Sequence, residues 1–416
     1  MIRRLASHAD IFSRNIILVF AGSSLVSIFN LVAQLYTAHR LSPQDFATFN
    51  SLIAIFIIFS SPLNTLQTAI TKYSAEFLAH NQLNKIKALF SGFMQIAGLF
   101  AIGVFLLFYL FSSTIAAKFS ISCLPCIYIL GIMVALSALV PVLTGVMQGL
   151  ELFLWFSAVA VSAGVARLAL TVLFINAGLN ITGAMDAVLA SVIITVFLSG
   201  FPIAKYFTFK LDKAQINFRE IFFYIFPIAL STICFMGLVN MDMILVKVFF
   251  LPFDSGIYAL SQMVGKIFLF LPMAISIVMF PRTSGLKARN QDTGATFKRS
   301  LLYGAMLCVL AGLFYNLFPS LVLKVLTGKA FPESVLLGRL FSISMTFFTL
   351  GYIFIAYFLS VKDLRFIRPL SLFTVLQFLA IIILHPTLVA VQLILCANAI
   401  LLFLINLTLF LRRRRL

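Results

Sequence analysis

Three basic residues stand inside long apolar stretches of this 416-residue chain, and a cation there can bind an anion, take part in ion coupling or lock two helices together. An isolated charge near the bilayer centre costs between about 3 and 10 kcal/mol, so each position calls for a partner or a function. Arg167 lies about 15 residues into an apolar run from roughly 152 to 178, too deep for its stem to carry the charge to the surface. It faces a wet cavity, or it pairs with Asp186 on the next run. Lys266 sits midway along a run from roughly 255 to 280, within reach of Asp242 near the end of the preceding run. A salt bridge locking two helices and a substrate or coupling role are both open. Arg339 is only one turn inside its run and either joins a site or snorkels outward. Lys247 and Glu151 are placed at run ends, at the interface.

The elements that hold these residues follow from composition. Hydrophobic residues make up 62%, charged residues 10%, and mean hydropathy is +1.11; a soluble domain is about half apolar and a quarter charged. A soluble fold is excluded. Apolar runs of about 20 or more residues, each able to cross about 30 Å of hydrocarbon, recur along the whole chain. We read about twelve of them, an all-α polytopic membrane protein with no room for a folded extramembrane domain. Net charge is +18, which elsewhere would suggest nucleic acid. Here 22 of the 30 Lys and Arg residues fall in tails and loops on one side of the membrane. The positive-inside rule places both termini in the cytoplasm, and the basic C-terminal Arg412 to Arg415 reads as an anchor near anionic membrane lipids. The run after Arg14 continues to Ala38 without a small-residue cleavage site, so the first span is expected to remain in the mature protein.

Other chemistry is sparse. Cys123 and Cys126 form a C-x-x-C pair at the outer end of the fourth run; lacking a βαβ setting or further ligands, it is read as structural. His8, His39, His80 and His385 share no ligand spacing, so no metal and no cofactor is expected. There is no G-x-x-x-x-G-K-[ST] phosphate loop and no nucleophile constellation, so the chain is read as a non-enzyme that does not hydrolyse ATP by a P-loop mechanism. Uncharged polar residues recur on one helix face: Ser27, Asn30 and Gln34; Ser60, Asn64, Thr68 and Thr71; Ser137, Thr144 and Gln148. They suit a sugar-lined path or ordinary interhelical hydrogen bonds. Pro62, Pro141, Pro227 and Pro272 are expected to interrupt spans, and Gly145 and Gly149 form a close-packing G-x-x-x-G.

A shift of 209 residues lays LSPQDFATF (Leu41 to Phe49) over FLPFDSGIY (Phe250 to Tyr258), matching Pro43 with Pro252, Asp45 with Asp254 and Phe49 with Tyr258. Two copies of six spans predict a six-helix N-terminal lobe over residues 1–204, a cytoplasmic linker over 205–220 and a six-helix C-terminal lobe over 221–416, related by a pseudo-twofold along the membrane normal. Transporters on such repeats hold substrate between the halves and alternate access by rocking.

The runs RLSPQDFATFNSL, TKYSAEF and NMDMILVKVFFLPFDSGIYALSQMVGKIFLFLPMAISIVMFP resemble the polysaccharide flippases of the multidrug/oligosaccharidyl-lipid/polysaccharide superfamily. The resemblance implies a transporter in a bacterial inner membrane whose partner is a lipid-linked oligosaccharide, an O-antigen, capsule or other exopolysaccharide repeat unit on a polyprenyl diphosphate. It would move from the inner to the outer leaflet, with glycan polymerase machinery as a further partner. A diphosphate needs cationic company to cross hydrocarbon, and Arg167 and Lys266, one per lobe, are the basic residues deepest in the spans. An ion-coupled multidrug exporter of the same superfamily is the alternative, which would need an acidic residue deep in the first lobe. A membrane O-antigen polymerase or ligase would need a large outer loop, and the longest here is about 15 residues.

Overall fold

The computed structural model describes residues 2–121, 123–207, 216 and 218–413. Every regular element among them is a helix, as the loss of water for backbone groups in hydrocarbon requires. In chain order they are α1 (Ile2–Arg40), α2 (Pro43–Ser60), α3 (Leu63–Ala79), α4 (Leu83–Leu110), α5 (Ser112–Lys118), α6 (Leu124–Ser137), α7 (Val140–Gly149) and α8 (Phe153–Asn176). There follow α9 (Asn180–Phe207), α10 (Phe218–Phe249), α11 (Pro252–Ala288), α12 (Gly294–Leu317), α13 (Pro319–Thr327), α14 (Pro332–Ser360), α15 (Ile367–Ile383) and α16 (Leu388–Arg413). Ten helical stretches among the described residues are long and apolar enough to cross a membrane. The expected spans near 255–280 and 369–385 fall on α11 and on the shorter apolar α15. The protein is a multi-pass membrane protein of all-α class in two lobes.

Two of the expected proline interruptions are real breaks. Pro62 separates α2 from α3, and α7 carries Pro141 as its second residue after the chain leaves α6. Pro227 and Pro272 instead lie inside continuous α10 and α11, and Pro202 inside α9. A proline costs its helix one donor, which a helix can tolerate where neighbouring groups satisfy the freed carbonyl.

The chain divides into two compact units, one formed by Met1–Arg40 and Phe59–Ala229, the other by Leu41–Ile58 and Leu230–Leu416. These limits differ from the repeat boundaries expected at 204 and 221, because α2 packs with the second unit and the start of α10 with the first. Much of the expected linker, residues 208–215 and 217, lies outside the described residues. In the first unit a buried core runs through Ile70, Leu89, Phe93, Val142, Val146 and Ile221. Gly145 and Gly149 face α3 there: a Cβ on Gly145 would stand 3.0 Å from the Gln67 carbonyl oxygen, and one on Gly149 3.0 Å from that of Thr71. The G-x-x-x-G is therefore the seat on which α3 rests. In the second unit α14 packs between α11 and α16, and Phe297, Phe354, Tyr357 and Phe410 form an aromatic cluster. The start of α2 is held close to α11, since a Cβ on Gly256 would lie 2.7 Å from backbone atoms of Pro43.

Candidate functional site

Arg167 lies in the middle of α8, which packs along α1. Its Nη1 donates to Asn30 Oδ1 at 3.0 Å, and Thr171 Oγ1 donates back to the Arg167 carbonyl at 2.6 Å. Among the described residues the guanidinium makes no ion pair. Asp186, the partner that sequence spacing offers, is the seventh residue of α9 and is partly buried, with no hydrogen bond or ion pair to Arg167. A guanidinium carries five N–H donors in a planar fork, and one is engaged by a neutral amide. The rest can meet an oxyanion in pairs.

The other polar residues of the first unit divide by hydrogen bonding. Gln67 Nε2 donates to Gln148 Oε1 at 3.2 Å, and Thr71 Oγ1 lies 3.1 Å from the same oxygen and 3.2 Å from the Gly145 carbonyl. These tie α3 to α7 and act as interhelical links. Thr68, Ser137 and Thr144 bond back to carbonyls of their own helices. Ser27 does the same, and of that α1 face Asn30 meets the arginine.

In the second unit, Lys266 on α11 donates from Nζ to Asn50 Oδ1 of α2 at 3.2 Å. Asp242 on α10 is fully buried, and its hydrogen bonds come from other groups: Tyr258 Oη donates to Oδ2 at 2.7 Å, and Gln262 Nε2 lies 3.4 Å from Oδ2. Gln392 on α16 donates from Nε2 to Tyr258 Oη at 2.8 Å, while its own Oε1 is buried without a partner. No ion pair between Lys266 and Asp242 occurs among the described residues. A carboxyl held this way, in hydrocarbon and among neutral donors, can take up a proton or another small cation.

Arg339, the eighth residue of α14, is exposed, with Tyr315 in electrostatic reach. Lys247, placed by sequence at a span end, lies in the last turn of α10 and is 2% exposed there. In the loop before α14, Lys329 Nζ donates to the Leu41 carbonyl, and burial lowers the affinity of that amine for its proton. A cavity of about 160 Å³ beside the start of α12, lined by Lys287, Asp292, Thr293, Tyr357 and Phe410, contains none of the sequence-predicted site residues. No group of three or more His, Cys, Asp or Glu side chains that could hold a metal occurs among the described residues. Sequence reasoning missed Asn50, Tyr258, Gln262 and Gln392 as neighbours of the charges. Asn50 is an amide beside Ser51 in an otherwise apolar run, which is a signal only once the lysine that meets it is known.

No family model matches the chain, and no curated protein sequence does. Solved structures do. An inward-facing multidrug resistance transporter of the MATE family, in the MOP superfamily, superposes with a TM-score of 0.74 at 14% identity, over 94% of this chain and 96% of its own. The lipid II flippase MurJ in an inward closed conformation gives 0.72 at 13%, over 94% and 87%. A MOP superfamily transporter from Pyrococcus furiosus, whose binding pocket of reverse polarity suggests a different function, gives 0.61 at 14%, over 94% and 93%. At such identities the likeness concerns the fold, and that fold is the one shared by the transporters of the multidrug/oligosaccharidyl-lipid/polysaccharide superfamily.

Proposed function

We propose that this chain is a flippase that carries an oligosaccharide on a polyprenyl diphosphate from the inner to the outer leaflet of a bacterial inner membrane by alternating access, with both termini in the cytoplasm. The observation that carries the reading is Arg167: a guanidinium in mid-span whose one hydrogen-bonded side chain is a neutral amide. Such a group keeps its full positive charge for a ligand, and its fork matches phosphate oxygens bidentately. Lys266, hydrogen-bonded to the Asn50 amide, and Arg339 are further cations assigned to the substrate in the same proposal. The six-plus-six lobes and the linker over 205–220 belong to the same proposal. A glycan lining of Ser, Thr and Asn hydroxyls and amides would supplement the charges.

A second reading has its own observation. Among the described residues Asp242 is the acid buried deepest, and its cluster with Tyr258, Gln262 and Gln392 suits a coupling site for a proton or small cation, as an ion-coupled multidrug exporter of this superfamily would need. That reading predicts an acid deep in the first unit as well, where Asp186 is only partly buried. The two readings separate in proteoliposomes. The flippase should translocate a fluorescent polyprenyl-diphosphate glycan with saturation and leave cationic dyes untransported; dye export without lipid translocation would overturn it. In cells, deletion should strand lipid-linked repeat units in the inner leaflet.

A further inference from the structure

Transport as read above leaves Cys123 and Cys126 without a task. The structure joins them in a disulfide, whereas Cys234, Cys308 and Cys396 are free and buried. Cys123 is the N-cap of α6, and Pro125 and Cys126 lie in its first turn, so the motif reads C-L-P-C at a helix start. The Cys126 amide donates to Cys123 Sγ at 3.2 Å. Around the pair the exposure is uneven: Leu124 and Pro125 are exposed, Cys123 is partly exposed and Cys126 is fully buried.

Those facts make the two sulfurs chemically unequal. A thiolate at an N-cap is stabilised by unpaired backbone amides and the positive end of the helix dipole, which favours the thiolate of the accessible Cys123. The buried Cys126 stands next to it as the resolving group. Sequence reasoning asked for a βαβ unit around a redox C-x-x-C, but what such a unit supplies to the first cysteine is a helix start, and α6 supplies one here.

We propose that Cys123 and Cys126 form a thiol–disulfide exchange site on the extracytoplasmic face, oxidised by a protein disulfide of that compartment and opened by low-molecular-weight thiols or a reducing protein dithiol. Its position on that face rests on the proposed topology; its reactivity rests on the disulfide, the helix start and the unequal exposure of the two sulfurs. In oxidation the Cys123 thiolate attacks the disulfide of the oxidant and releases one of its sulfurs as thiolate. Cys126, giving up its proton, then attacks Cys123 Sγ and expels the second. Two thiols of this chain lose two protons and two electrons, and the oxidant becomes a dithiol. In opening, an external thiolate attacks Cys123 Sγ, the bond to Cys126 breaks, and Cys126 leaves as a thiolate that takes a proton.

The test uses the full-length chain in spheroplasts, a membrane-impermeant phosphine as reductant, and a polyethylene-glycol maleimide read as a gel shift. Untreated protein should give no adduct, and protein reduced without denaturation should give one, at the accessible Cys123. Incubated with oxidised glutathione in the folded state, Cys126→Ser should form a mixed disulfide at Cys123 at least tenfold faster than Cys123→Ser forms one at Cys126, with membrane levels checked by immunoblot. An adduct at Cys123 before reduction, opening only after denaturation, or equal inertness of both variants would overturn the exchange chemistry. Opening by a membrane-permeant reductant alone would overturn the extracytoplasmic position, and with it the topology, while leaving the transport substrate untouched.

Discussion

Replacing Arg167 separates a ligand-binding cation from a pin between α8 and α1. In Arg167→Ala the fold loses one hydrogen bond to Asn30, worth about 1.5–3 kcal/mol for a charged donor. It also sheds the burden of an arginine at span centre, about 2.5–3.5 kcal/mol on insertion scales. The two offset to within about 2 kcal/mol, mostly in favour of the variant, so it should insert and accumulate at least as well as the parent. The ligand side has no such offset: two charge-assisted bonds to phosphate oxygens, at about 1.5 kcal/mol each as a minimum, amount to about a hundredfold in affinity. Arg167→Lys keeps the charge without the fork and should fall between. The control is Asn30→Ala, which removes the same hydrogen bond and leaves the cation in place; it should cost a few-fold at most. Uptake of a fluorescent polyprenyl-diphosphate glycan into the far leaflet of proteoliposomes, normalised to reconstituted protein, reads all three. If Asn30→Ala reproduced the loss in Arg167→Ala, or if both lost membrane level together, Arg167 would be a pin and the argument for an anionic cargo would fall.

Other perturbations address other links of the chain from sequence to function. Lys266→Ala should impair flipping, and adding Asp242→Ala should not restore it, because the hydrogen bonds of Asp242 come from Tyr258 and Gln262 and not from the lysine; recovery of most activity in the double variant would make the pair a simple lock. Gly149→Val puts side-chain carbons against the Thr71 carbonyl and Ser74 and should destabilise the protein by about 1–3 kcal/mol, seen as a lower melting temperature in detergent, whereas Gly98→Val, with open space around its Cβ position, should leave melting nearly unchanged. Gly256→Val meets the Pro43 backbone and should raise the accessibility of a cysteine placed at Ser42; unchanged labelling would mean that α2 does not depend on that seat. Single cysteines at Ser42 and Ser320 should react with an impermeant maleimide from outside and one at Asn290 from the cytoplasm, and labelling of Ser320 and Asn290 from one side would break the topology.

The fold was legible because its signals are local in the chain. Apolar runs long enough for a bilayer, and Pro43 and Pro252 opening α2 and α11 as their matched positions suggest, are read within a window of about 20 residues. The partition of α2 from α3 was not legible in this way. Pro62 announces the break, but which unit α2 joins depends on contacts of Pro43, Asn50 and Leu41 with residues more than 200 positions away. The surroundings of the two deep cations were half legible for the same reason. A lone Arg167 or Lys266 in hydrocarbon is conspicuous by cost, whereas the amides that receive them stand 137 and 216 residues away and look like any polar residue on a helix face. Carboxylate partners were the natural inference, since opposite charge offsets desolvation best. Arg167 meets a neutral amide instead. An amide orients a cation without neutralising it, so under the proposed function the positive potential of Arg167 would stay available to a diphosphate until the ligand itself supplied the counter-charge.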